Sequence, residues 1–116
     1  GNTLSRMAIE ADGKIAVTQI SREDLTESNA KLENSEGFVD YLLSIAQIEL
    51  GILFKEIDDQ TIKVSLRSQN GIDASKLAKE FNGGGHVNAS GFTVQGSLQK
   101  VKAIVVKRAT EFVYGK

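Results

Sequence analysis

From Thr61 to Ser68 the chain alternates strictly between apolar and polar residues. A period of two predicts a β-strand that sends Ile62, Val64 and Leu66 into a core and turns Lys63, Ser65 and Arg67 the other way. Just before it, Ile48 to Ile57 is almost continuously apolar, interrupted by Glu49, Lys55 and Glu56, as expected for a central strand covered on both faces. Asp58, Asp59 and Gln60 supply the turn that pairs these two strands. Upstream, Ser5 to Glu10 and Lys14 to Ile20 flank an Ala11-Asp12-Gly13 turn and predict a hairpin. Downstream, Gly91 to Gln95 predicts another strand with Phe92 and Val94 inward.

Helical spacing appears in three places. Ser35 can cap a helix whose apolar stripe is Phe38, Val39, Leu42, Ile45 and Ala46, with Gly37 weakening its first turn. Asp73, after an Asn70-Gly71 turn, can cap a second with Leu77, Ala78 and Phe81 on one face and Asn82-Gly83 as the stop. Ser97 can cap a third, striped by Leu98, Val101, Val105, Ala109 and Phe112, which leaves Lys100, Lys102, Lys107 and Arg108 largely on its solvated side. Ser21 to Asn34 is polar and charged, suiting a short helix around Glu23 to Thr26 and then a loop. The pattern predicts a single α/β domain, a mixed sheet of about five strands with helices packed mainly on one face.

Composition narrows the partners. A formal net charge of −1 over 116 residues argues against a broad basic track for long nucleic acid, so any phosphate recognition is local. The few aromatic residues lie mostly in core-forming runs and offer no stacking platform. There is no cysteine to form a disulfide, and no stretch has the pattern of a membrane span or signal peptide, so a cytoplasmic setting is the default expectation. One histidine and no Asp-x-Asp or His-x-Asp cluster leave the chain unable to assemble a two-metal site from its own residues. No metal or cofactor is expected to bind it directly. Asp58-Asp59, the nearest carboxylate pair, reads as turn chemistry.

The segment from Phe81 to Gly91 contains the candidate chemistry. Gly83, Gly84 and Gly85 lead directly into His86, and Ala89-Ser90-Gly91 follows. Consecutive glycines suit unusual dihedrals or close approach by another molecule, and their amides can form an anion cradle. They leave a helix end rather than open one, so neither a Walker loop nor a dinucleotide fingerprint fits. The same residues also suit a plain connection between helix and strand, with His86 a partly buried structural residue. Arg67 and Ser68 end a strand with a guanidinium fork and a hydroxyl, which suits a phosphate or carboxylate, or merely a solvated strand face.

The order Ser65-Leu66-Arg67-Ser68, turn, helix, Gly83-Gly84-Gly85-His86, Ala89-Ser90-Gly91 resembles the C-terminal substrate-binding domain of DHH-family phosphoesterases. It looks most like the branch that degrades very short oligoribonucleotides and 3'-phosphoadenosine 5'-phosphate, related more distantly to the RecJ exonucleases. The resemblance runs over nearly the whole chain. It implies that Arg67, Ser68, Gly83, Gly84, Gly85, His86, Ala89 and Ser90 line a cleft between two domains and hold the substrate's phosphate and base. It implies an N-terminal catalytic domain in the same polypeptide that carries the Asp-His-His motif and manganese, neither of which this chain supplies. The start at Gly1-Asn2-Thr3, with Met7 the only methionine, reads as an excised domain. Asp40 stands where many relatives carry Asn in the helix after the first hairpin, so capping or packing is expected of it rather than contact with the ligand. The expected ligand is a short RNA or a phosphorylated nucleotide, and a homodimer is a further expected assembly. Other readings are a stand-alone nucleotide- or nucleic-acid-binding module, part of an exopolyphosphatase-like hydrolase, a domain like those of alanyl-tRNA synthetases, and a structural oligomerisation domain.

Overall fold

The computed structural model describes residues 8–10, 13–22, 37, 39–41, 43–44 and 47–115. The readings at Ser5, Met7, Ala11, Asp12, Glu23 to Asn34, Ser35, Phe38, Leu42, Ile45 and Ala46 lie outside them. The elements are β1 (Ala8–Glu10), β2 (Ile15–Ile20), β3 (Leu50–Asp58), β4 (Thr61–Ser68), α1 (Ala74–Glu80), β5 (Gly84–His86), β6 (Ala89–Gln95) and α2 (Leu98–Tyr114). The strands form one sheet in the order β1-β2-β3-β4-β6-β5. Only β2 and β3 run parallel, so the sheet is mixed as expected.

Strand parity sets the two faces. Ile15, Val17, Leu50, Ile52, Phe54, Ile62, Val64, Leu66 and Phe92 point to one side, where α1 contributes Leu77 and Ala78 and α2 contributes Val101, Val105 and Ala109 to a single buried cluster. Each fully buried aliphatic or aromatic side chain contributes about 1.5–3 kcal/mol, so the alternation in β4 decides which way the strand faces. Phe81 stacks on Phe92 with ring centroids 4.7 Å apart, tying the end of α1 to β6. Arg108 of α2 holds Glu80 of α1 in a two-pronged contact at 2.6 and 2.9 Å.

The opposite face is less covered. Gly37, Val39, Asp40, Tyr41, Leu43 and Ser44 are helical, and Val39 is buried against Ile20 and Leu53. This segment lies over β2 and β3 and reaches Arg67 of β4, so among the described residues the β6-β5 side of that face has no helix above it. The fold is the α/β arrangement the pattern predicts, with a sixth strand added. The extra strand is β5, built from the glycine run where a loop was expected. No helix among the described residues is long and apolar enough to cross a membrane.

Candidate functional site

The register of the last three strands brings the candidate residues together. Arg67 pairs with Ala89, and Ala89 pairs with His86. Paired residues in a ladder share a face, so Arg67, Ala89 and His86 form one lateral row on the side away from α1 and α2. Two interstrand steps put the Cα atoms of Arg67 and His86 about 10 Å apart. The methyl of Ala89 leaves the space between them low. The next row, Ser65, Gly91 and Gly84, is almost bare of side chains. His86 is exposed and the Arg67 side chain is 24% exposed. The result is a shallow floor flanked by a guanidinium and an imidazole, able to contact an anion from two sides.

Local signals explain how α1 delivers the glycines to this place. Asn70 and Gly71 both take positive φ, and Ile72 N donates to Gln69 O, closing the tight turn after β4. Asp73 caps α1 by accepting from Ser75 N at 2.9 Å. Its hydrogen bonds, chiefly with the Ser75 side chain, hold its carboxyl below the usual range. At the other end Gly83 N donates to Ala78 O and Asn82 N to Lys79 O, with Asn82 at φ +65, which is a Schellman stop.

The three glycines then separate by role. A Cβ on Gly83 would lie 2.1 Å from Gly91 O and 2.4 Å from Phe92 Cβ, so the chain leaving α1 passes too close to β6 for any side chain. Gly85 takes φ +141, and its Cβ would sit 2.7 Å from Ala89 O. Gly84 has neither restriction, since a Cβ there meets nothing within 4 Å and projects into open space. The fold requires the first and third glycines and not the second.

The expected concave cradle of amides is not what the backbone builds. Ser68 N donates to Asn88 O, which makes Arg67 and Ala89 a non-hydrogen-bonded pair and fixes the phase of the ladder. By the same alternation Gly84 turns its amide toward β6, and only Gly85 turns its amide out to the sheet edge. Pairing with β6 satisfies more backbone groups than an open cradle would.

Ser68 and Ser90 are turned away from the row. Both lie on the covered face, 4% and 7% exposed. Ser68 Oγ donates toward Ile72 O at 2.7 Å and Val87 O at 3.0 Å, joining the Asn70-Gly71 turn to the β5–β6 hairpin. Ser90 Oγ is buried without a hydrogen-bond partner among the described residues. Ser68→Ala is therefore expected to lower stability by about 1 kcal/mol, because the turn loses the hydroxyl that bridges it to the hairpin, while Val87 O keeps Ala74 N as a donor. Ligand affinity of the folded fraction should be unchanged, and a calorimetric titration above and below the shifted midpoint checks both.

Asp40 corrects another expectation. Rather than packing, its side chain is 61% exposed, and among the described residues its Oδ1 lies 3.5 Å from Arg67 Nε. Arg67 Nη1 also donates to Leu66 O at 2.9 Å. Gly51, which pairs with Arg67 across β3 and β4, makes the approach of Asp40 feasible. A Cβ on Gly51 would lie 2.4 Å from Val39 Cγ1. Gln69 Nε2 then fastens the far end of the helical segment by donating to Leu43 O and Ile48 O. A glycine inside an otherwise apolar strand run was the available signal, since it marks a close approach. Asp58 accepts from Gln60 N, which lowers its pKa, and sits at the β3–β4 turn far along the sheet from Arg67. No three His, Cys, Asp or Glu side chains come together among the described residues to hold a metal ion.

Comparison with known proteins places this geometry in a family. Residues 8–114 match the DHHA1 domain. The chain is 28% identical over 96 residues to a bifunctional oligoribonuclease and PAP phosphatase, NrnA, of Thermus thermophilus, covering 83% of this chain and 28% of that protein. The structure of an exopolyphosphatase-related protein from Bacteroides fragilis superposes with a TM-score of 0.78 at 34% identity, covering 94% of this chain and 32% of that one. A pGpG-specific phosphodiesterase from Vibrio cholerae, PggH, shares the fold at a TM-score of 0.59 and 13% identity, covering 96% of this chain and 36% of that one. The chain thus spans about a third or less of the length of these relatives. With its match running from β1 to the end of α2, the chain belongs to the DHHA1 domain family of DHH phosphoesterases.

Proposed function

We propose that this domain holds the substrate of a two-domain, manganese-dependent phosphoesterase that hydrolyses short oligoribonucleotides or 3'-phosphoadenosine 5'-phosphate. The observation that carries the reading is the row of Arg67, Ala89 and His86 across a face that the helices α1 and α2 leave open. The Thermus relative's name points to the same substrates. Arg67 takes the phosphate through its guanidinium fork, and His86 donates to a second oxygen or to the group beside it. The bare rows over Ala89, Gly91 and Gly84 admit the sugar and base. Manganese belongs to a catalytic domain upstream in the same polypeptide. The described residues of this chain do not fit a metal site, and no step through the metal is assigned to them. Their part is to bind and orient.

Gly84 provides the test, because the fold does not require glycine there. Gly84→Val in the full-length enzyme is expected to leave the unfolding midpoint within the ±0.5 kcal/mol of an ordinary surface change. The same substitution should lower kcat/KM by about 10–100-fold by displacing the ligand from the floor. A folded variant with unaltered kinetics would end this reading. A second reading, hydrolysis of inorganic polyphosphate, is favoured by the match to the exopolyphosphatase-related structure. It predicts rates indifferent to base and ribose, which a comparison of substrates separates.

A further inference from the structure

Asp40 is a carboxylate placed against the arginine of an anion site. The placement is built in: Val39 sits over the bare Gly51, and Gln69 anchors the segment's other end. We infer that Asp40 sets the charge of the ligand this face accepts, selecting a singly charged phosphodiester that carries ribose hydroxyls over a multiply charged inorganic phosphate chain. The inference rests on the reading of Arg67 as the phosphate contact.

Three steps support it. A phosphate oxygen hydrogen-bonded to the guanidinium lies roughly 6 Å from the Asp40 carboxylate, the sum of the 3.5 Å contact and a hydrogen bond of about 2.9 Å. That separation is inside the screening length of about 8 Å at physiological salt, so every negative charge on the ligand near this point is repelled. A dinucleotide brings one charge, whereas 3'-phosphoadenosine 5'-phosphate and an inorganic chain each bring several, so of the two substrates proposed above the inference favours the oligoribonucleotide. The carboxylate also accepts hydrogen bonds only, and at 61% exposure it can receive a ribose hydroxyl, which a phosphate chain lacks.

The test is calorimetric titration of this chain with a diribonucleotide and, separately, inorganic tripolyphosphate, using the unmodified chain, Asp40→Asn and Arg67→Ala. In Asp40→Asn, tripolyphosphate should bind about fivefold tighter while the diribonucleotide binds about equally or more weakly, so the two affinities move apart. Asp40→Ala should give the same divergence. If Asp40 only orients Arg67, both ligands weaken together, and that result overturns the inference while Arg67→Ala still confirms the site. Affinities that do not respond to Asp40→Asn overturn it equally. Absence of binding to the unmodified chain at millimolar ligand, or binding that survives Arg67→Ala, overturns the site and the inference together.

Discussion

Gly83→Ala is expected to be the most damaging single methyl group in this domain. The added Cβ would meet a carbonyl oxygen at 2.1 Å and the Phe92 Cα and Cβ at 2.9 and 2.4 Å, and backbone on both sides prevents a local escape. Relief requires moving the end of α1 off β6, which also separates Phe81 from Phe92. The expected loss is more than about 4 kcal/mol, a large share of the roughly 5–15 kcal/mol by which domains are stable. Urea denaturation measures it directly. A shift below about 1 kcal/mol would show that the α1 terminus retreats freely and that Gly83 is not a packing requirement. Because β5 hangs from this junction, loss of ligand binding should accompany loss of fold in this variant, in contrast to Gly84→Val.

Arg67→Ala in the full-length enzyme should do the reverse, sparing the fold and removing the ligand. The Arg67–Asp40 pair is solvent-accessible, so its loss costs at most about 1 kcal/mol of stability. Charge-assisted hydrogen bonds to a phosphate are worth about 1.5–3 kcal/mol, which corresponds to a drop of roughly 10–150-fold in kcat/KM. Arg67→Lys keeps the charge without the planar fork and should fall between the two. Steady-state kinetics on a diribonucleotide decides the matter. An unaltered kcat/KM in the alanine variant would remove the clamp.

Local chemistry made much of this legible beforehand. The period of two in β4 placed Arg67 opposite Ile62, Val64 and Leu66 because parity in a strand leaves no choice. The same parity puts Ser68 with Leu66 on the covered side, so grouping it with Arg67 overlooked what the alternation already stated. The caps at Asp73, Asn82 and Ser97 were readable because each is satisfied within a few residues. Strand β5 was not, since Gly84 and Gly85 carry no apolar pattern and low strand propensity, and the strand exists only because β6 offers an edge to pair with. The Arg67–Asp40 contact depends on the crossover between the parallel strands β2 and β3, which carries residue 40 back over the sheet. No local pattern encodes a meeting of residues 27 positions apart in the chain.

Gly51 touches no ligand in any of these readings, yet the height of the helical segment over β3 depends on its missing side chain. Even one methyl there would raise Val39 and shift Asp40 relative to Arg67. The domain can therefore be retuned from underneath, at a buried position with no chemistry of its own. Two relatives with identical contact residues would then accept ligands of different charge, and a survey confined to pocket-lining positions would find nothing to account for it.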